Sequence, residues 1–474
     1  MSKSGADGHS RSGRAAPRRR AASRPPKVRA VDPARRAAYD VLRAVDAREA
    51  YANLALPSTL RRYGLAGRDA AFATELTYGT LRRLGTWDAV LAACVDRPLE
   101  AVDPSLRDVL RLGTHQLLAM RVAAHAAVSA TVDLARVAAG GGAARFANAV
   151  LRRVATRDLD SWLAELTEGL DDIERLAVLH AHPRWIVASY ADALGGDVDE
   201  VAAALAADNE PPPVTLAVRP GRATVDELVE AGAVPGRWSP YAATLQAGDP
   251  SKLPAVAEGR AGVQDEGSQL VTLALANAPL DGNDGRWLDL CAGPGGKAAL
   301  LAGLAAPRGS MLLAVERRMH RARLVARALS GIAGSWAVVA GDATTPAWRA
   351  GRFDRVLLDV PCTGLGALRR RPEARWRRSP ADVAALRPLQ AALLRTALDA
   401  ARPGGLVAYV TCSPHPAETT VVVNEVLGER ADAEHLDARP LLAAVPDLGG
   451  GPHIQLWPHR HGTDAMFLAV LQKM

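Results

Sequence analysis

From about residue 263 onward the chain alternates short runs of β-forming residues with segments of helix length, and few folds accommodate that rhythm. RWLDLC, SMLLAVE, SWAVVAGD, FDRVLLDV and GLVAYVTC are apolar nearly throughout, not on every second residue. A strand that is apolar on both faces is covered on both faces, as parallel strands of an α/β sheet are. Residues 298–304, 318–329 and 381–401 lie between these runs and have the length of crossover helices. The spacing predicts a doubly wound, mostly parallel α/β sheet over residues 261–474.

Upstream the rhythm is different. Asp32-Pro33 reads as an N-cap followed by a first-turn proline, with Ala34, Ala38, Val41, Leu42 and Val45 at helical spacing. Asp103-Pro104-Ser105 opens a second helix, with Leu106, Val109, Leu110, Gly113 and Leu117 on one face. No alternating strand interrupts residues 31–160, which read as an all-helical domain with a break at Gly140-Gly141-Gly142. Residues 161–260 read as a small connecting α/β subdomain. It is helical near 162–179 and 183–194, broken at Pro211-Pro212-Pro213, and has a short strand at 214–218.

Charge separates the first thirty residues from the rest. The 474-residue chain carries +7, yet residues 1–30 hold nine Lys or Arg and one Asp. That leaves 49 basic and 50 acidic side chains in the remainder, so attraction for nucleic acid must come from the tail or from local patches. The tail has almost no large apolar side chains and is expected to be disordered, either as a solubilising segment or as a non-specific RNA tether. It lacks the apolar core of a signal peptide, and no run approaches a bilayer span. The four cysteines have no CxxC spacing, which argues against a zinc ribbon or a disulfide framework. His415, His459 and His461 have no ligand-spaced partners, so no metal is expected. A reducing, cytoplasmic location and a monomer are the expectations.

LDLCAGPGGKAALLA ends the first strand with Gly293, Gly295 and Gly296 feeding a helix. Missing Cβ atoms bring backbone N–H groups close to a ligand, and a helix N-terminus favours an anion. Neither GxGxxG nor GxxxxGK[ST] is present. Glu316 ends the second strand, where a carboxylate suits the hydroxyls of a ribose, and Asp342 follows the third, where one suits an adenine edge. One anionic group, one ribose and one adenine, with no phosphate device, describe S-adenosylmethionine.

Cys362 follows the fourth strand in DVPCTG and Cys412 follows the fifth in VTCSP, so both thiols should face the ligand crevice of an open α/β sheet. Methylating N or O needs only a positioned nucleophile, but carbon 5 of a pyrimidine is poorly nucleophilic. A thiolate adding at carbon 6 turns the ring into an enamine that can attack a methyl sulfonium. A base then removes the carbon 5 proton and the thiol leaves. Asp359 is a candidate to protonate N3 during addition. Spacing does not say which thiol attacks. The next segment, GLGALRRRPEARWRRSP, places Arg369, Arg370, Arg371, Arg375, Arg377 and Arg378 around Trp376. This reads as an RNA surface, with arginines for phosphate and Trp376 for an unstacked base. Chemistry on a ring carbon requires the base to be single-stranded or flipped out.

With these motifs in view, the chain resembles the Sun/Fmu-type bacterial rRNA cytosine-5 methyltransferases of the NOL1/NOP2/Sun family. VQDEGSQLV, LDLCAGPGGK, DVPCTGLGALRRRPEARWRR, YVTCSPHPAE and HGTDAMF carry the likeness, and the helical region with FANAVLRR is similar to the NusB-like domain of the rRNA enzymes. The resemblance implies a class I methyltransferase fold, S-adenosylmethionine as cofactor and a cytosine of small-subunit (16S) rRNA as target. It assigns Cys291, Ala292, Gly293, Pro294, Gly295, Gly296, Lys297, Glu316, Asp342 and Asp359 to the cofactor pocket. It makes Cys412 the nucleophile and Cys362 the residue assisting product release. Glu316 stands where the family commonly has Asp, Thr419 where it often has Asn, and Ala465-Met466 where it usually has Gly-Phe. Lys297 is one of only five lysines in an arginine-biased chain. Two rival readings are a DNA cytosine-5 methyltransferase using Cys362 and a non-catalytic RNA-binding assembly factor.

Overall fold

The computed structural model describes residues 31–246 and 248–474, so the basic tail of residues 1–30 lies outside the described residues. The chain opens with α1 (Pro33–Arg48), α2 (Ala52–Arg62), α3 (Gly67–Arg82), α4 (Leu84–Cys94), α5 (Pro104–Leu118) and α6 (Ala124–Val154). Asp32 caps α1 by accepting from the Arg35 N–H, and Asp103 caps α5 by accepting from Ser105 and Leu106. Both helices then begin on a proline, whose fixed φ suits the first turn. Leu42, Leu76, Leu91, Val109, Leu110 and Leu151 meet in one core. The expected break at the glycine cluster is a kink. Gly140 takes φ +88°, and the helix resumes after it.

Four further helices follow, α7 (Leu159–Thr167), α8 (Asp172–His180), α9 (Arg184–Ala193) and α10 (Val198–Ala207). Tyr190 of α9 and Leu205 of α10 share a core with Leu365, Leu368 and Trp457 from the far end of the chain. The connecting region is therefore packed onto the C-terminal half. A small antiparallel sheet comes next, built from β1 (Val214–Val218), β2 (Ala233–Pro235), β3 (Ala242–Leu245) and β4 (Ala261–Val263) in the order β2-β3-β1-β4. It carries α11 (Val225–Glu230) and α12 (Pro254–Ala257). Because β4 pairs with β1, this sheet extends past residue 260, where the sequence suggests a boundary.

After α13 (Glu266–Asn277) the expected doubly wound sheet appears. Its parallel strands are β5 (Arg286–Asp289), β6 (Met311–Glu316), β7 (Ser335–Ala340), β8 (Phe353–Asp359) and β9 (Ala401–Thr411). The crossovers carry α14 (Gly296–Ala305), α15 (Met319–Leu329), one-turn α16 (Ala374–Arg377) and α17 (Pro380–Ala400). α18 (Thr420–Gly428), β10 (Ala433–Leu436), β11 (Ile454–Gln455), α19 (Pro458–His461) and β12 (Phe467–Lys473) complete the chain, with β12 antiparallel to β9. The order β10-β12-β9-β8-β5-β6-β7 puts β5 between β6 and β8. The connections diverge there, which opens a crevice beyond the carboxyl ends of β5 and β8. No helix among the described residues is long and apolar enough to cross a membrane.

Candidate active site at the carboxyl ends of the parallel strands

Five strand ends supply the crevice. After β5 the loop 290–295 turns into α14 and presses against the end of β6. A Cβ at Gly293 would lie 2.1 Å from Glu316 Oε2, and one at Gly295, at φ +114°, would lie 2.7 Å from Ala328 Cβ. Only glycine permits the loop to run there, leaving its N–H groups free to approach a ligand. Glu316 is buried and accepts from the Arg318 N–H at 2.8 Å. Asp342 accepts from the Thr344 hydroxyl and N–H, and the hydroxyl bond holds its carboxyl below the usual carboxylate range.

Asp289, the last residue of β5, was not singled out in the sequence. It is fully buried, and among the described residues neither carboxyl oxygen has a hydrogen-bond partner. Burial, followed by the charge of Asp359, pushes it up to about 8. Two buried oxygens without donors are costly in a structural residue and apt in one that awaits a ligand. The only signal in the sequence is an acid inside an otherwise apolar strand, just before the glycine loop. Lys297 on α14 reaches across to Asp359, with Nζ 2.8 Å from Oδ2. Burial opposes the ammonium, but the charge and hydrogen bond of Asp359, together with the charges of its other neighbours, raise Lys297 overall. These donors and acceptors fit S-adenosylmethionine: Glu316 would take the ribose, Asp342 the adenine edge, and the glycine loop and Asp289 the amino-acid end. Cys291, also in the loop, has its thiol pushed up by burial, which makes it an unreactive packing residue.

The two strand-end thiols meet. Cys362 Sγ and Cys412 Sγ lie 3.4 Å apart, both half-buried and neither in a disulfide. Their environments push the two thiols in opposite directions. The Cys362 hydrogen bond lowers Cys412, and Lys297 adds to that effect. The same bond, then burial, drives Cys362 well above the ordinary thiol range. These directions make Cys412 the thiol that ionises first and Cys362 its donor when it does, and a thiolate is the nucleophilic form. Alanine at Cys362 removes the donor. Iodoacetamide labelling of Cys412, mapped by mass spectrometry, should then slow at neutral pH and its midpoint should move to higher pH.

The loops that carry the thiols are fastened by Glu418. Its buried carboxylate accepts from the Thr363 N–H at 2.8 Å, from the Thr363 hydroxyl, and from Gln390 Nε2 at 3.1 Å. The Cys412 carbonyl accepts from the Gly366 N–H at 2.8 Å. The sequence shows an acid at 418 without a role; the structure gives it one.

The arginine-rich segment divides by function, and the expected RNA surface needs correction. Arg375 is fully buried. Its guanidinium donates to the carbonyls of Arg82, Ala181 and Asp208 and to Asn209 Oδ1. Those carbonyls end α3, α8 and α10, where the helix dipoles are negative. Arg377 does the same at the end of α1, donating to Val45, Glu49 and Ala50. Glu373 answers at the opposite pole, accepting from the Ala52 N–H at the start of α2. Arg369 and Arg370 pair with Asp464 and Asp265, tying the loop to the VQDEGSQ and HGTD segments. Arg378 pairs with Asp382 at 3.7 Å, so five of the six arginines are occupied by the protein itself. Arg371, Trp376 and Arg378 lie on a cleft of about 650 Å³ between this loop and the helical domain. Val45, Tyr51 and Leu84 wall one side of it, and Cys412 lies in its opposite wall.

Among the described residues no cluster of three metal-ligating side chains exists. Comparison with known proteins adds the following. Residues 275–472 match the family model described as 16S rRNA methyltransferase RsmB/F, and residues 32–156 match that of the NusB family. Rv1407 of Mycobacterium tuberculosis (strain H37Rv), named only as a methyltransferase, is 56% identical over 95% of this chain and 99% of its own. Ribosomal RNA small subunit methyltransferase B of Pseudomonas syringae pv. tomato is 33% identical over 93% of this chain and 97% of its own. The crystal structure of PH0851 superposes with a TM-score of 0.76 at 22% identity, covering 94% of this chain and 99% of that one.

Proposed function

The chain belongs to the RsmB/F family of S-adenosylmethionine-dependent 16S rRNA methyltransferases, with a NusB-type domain preceding the catalytic one, and from that premise we propose that it methylates carbon 5 of a cytosine through a covalent Cys412 adduct. The observation that carries this reading is the thiol pair: two sulfurs 3.4 Å apart at adjacent strand ends, with Cys412 on the wall of an open cleft. A methyltransferase acting on N or O has no use for a polarised pair of cysteines.

S-adenosylmethionine supplies the electrophilic methyl. The residues of the chain do the rest. Residues 291–297, Glu316, Asp342 and Asp359 would hold the cofactor, joined by Asp289. Cys412 adds as thiolate to carbon 6 of the cytosine, and Asp359, kept beside Lys297, is assigned to the proton at N3. The enamine so formed would take the methyl at carbon 5, the sulfonium sulfur–methyl bond breaking and S-adenosylhomocysteine being the leaving group. For release, the carbon 5 proton is taken by a base, the C5=C6 bond re-forms and the carbon–sulfur bond breaks. Cys362 suits that second role. Its largest ionisation barrier is its hydrogen bond to Cys412, and that barrier disappears once the Cys412 sulfur is bonded to carbon. The cytosine must be single-stranded or flipped out to reach the pair.

Incubating the purified protein with unmodified 16S rRNA and methyl-labelled S-adenosylmethionine, followed by nucleoside analysis, should give 5-methylcytidine. Label in N4-methylcytidine or on ribose would refute carbon 5 as the acceptor.

A further inference from the structure

The cleft in front of Cys412 holds more than the reacting base needs. Trp376 and Tyr51 both line it and stay 39% and 38% exposed, although each is large and apolar. They come from opposite halves of the protein, Trp376 from the loop after Cys362 and Tyr51 from the junction of α1 and α2. Neither ring is loose. Trp376 lies against Gly85, where a Cβ would sit 2.4 Å from the indole. Tyr51 lies within 5.2 Å of the Arg371 guanidinium and 5.4 Å of that of Arg377.

The two guanidiniums differ. Arg377 is committed to the end of α1. Arg370 and Arg378 are paired with Asp464 and Asp382, whereas exposed Arg371 makes no ion pair among the described residues. A guanidinium stacked on an aromatic ring, with no carboxylate, keeps its outer face for another planar group. Resting on this reading of the site, we infer that Trp376 and Arg371, the latter backed by Tyr51 of the helical domain, are stacking surfaces for the single-stranded nucleotides beside the target cytosine. Stacking is indifferent to base identity, so the two surfaces hold the strand while Cys412 works on the base between them. The helical domain thereby enters the substrate site directly, through Tyr51.

The test compares a single-stranded RNA oligonucleotide carrying one cytosine with the same oligonucleotide made abasic on both sides of it. Phosphate charge is equal in the two, so the difference reads what the flanking bases contribute, and the variants below assign it to stacking. The full-length protein should bind the abasic form more weakly by roughly 5- to 150-fold per lost stack. Trp376→Ala, and Tyr51→Ala with Arg371→Ala, should each lose part of that preference and raise KM for RNA rather than lower kcat. Trp376→Phe and Tyr51→Phe should restore it. Equal affinity of the wild-type protein for both oligonucleotides overturns the inference, and that measurement stands even where an alanine variant fails to fold. The covalent mechanism fails separately: continued methylation by Cys412→Ala would refute it and leave the abasic comparison untouched.

Discussion

Replacing Cys412 with serine is expected to reduce methyl transfer to RNA by about three orders of magnitude or more, the scale seen when a covalent nucleophile is removed. Serine is nearly isosteric, but its hydroxyl does not ionise near neutral pH, so carbon 6 is not attacked. Cys362→Ser should behave differently. The hydroxyl still donates to the Cys412 thiolate across the short gap, so addition and methylation proceed, but no group of suitable acidity takes the carbon 5 proton. RNA should then remain joined to the protein as a band that survives denaturing electrophoresis, with turnover lost. If Cys362→Ser is the inert variant and Cys412→Ser the one that traps RNA, the roles are reversed. That outcome would favour the rival mechanism in which the proline-cysteine thiol attacks.

Arg375→Ala should be among the most destabilising substitutions in the chain, at about 3–5 kcal/mol. Burial has already pushed this guanidinium down to about 10, so it remains a cation at neutral pH. Removing it strands three helix-end carbonyls and leaves the Asp208 carboxyl, itself raised to about 6 by burial, without the positive charge that acts on it most strongly. Arg371→Ala, only four residues away in sequence, should shift stability by no more than about 0.5 kcal/mol. Urea unfolding followed by tryptophan fluorescence separates the two. A small effect at Arg375 would mean that the domain junction does not depend on it.

These variants also mark where the sequence is readable. The parallel strands are legible because burial on both faces leaves a continuous apolar run, and the glycine loop because only glycine can lie against Glu316. The two thiols are legible as strand-end groups. Which one ionises more readily is not, because that depends on how each thiol is surrounded in the fold. The arginine segment misleads for a general reason: composition does not distinguish a cation that meets phosphate from one that meets the carbonyl end of a helix. Arg375 and Arg377 find the ends of helices more than 160 residues away in the chain, and nothing local announces it. Asp289 is missed because it is read as part of its strand, and Asp265 and Asp464 because their partners lie far off in sequence.

The convergence of helix ends on the loop after Cys362 bears on how such genes can recombine. A crossover that joined this catalytic half to an unrelated N-terminal module would deliver Arg375 and Glu373 to a neighbour lacking the matching poles. Exchange between relatives should therefore succeed only when both halves come from the same parent, or when the incoming module keeps the same helix endings.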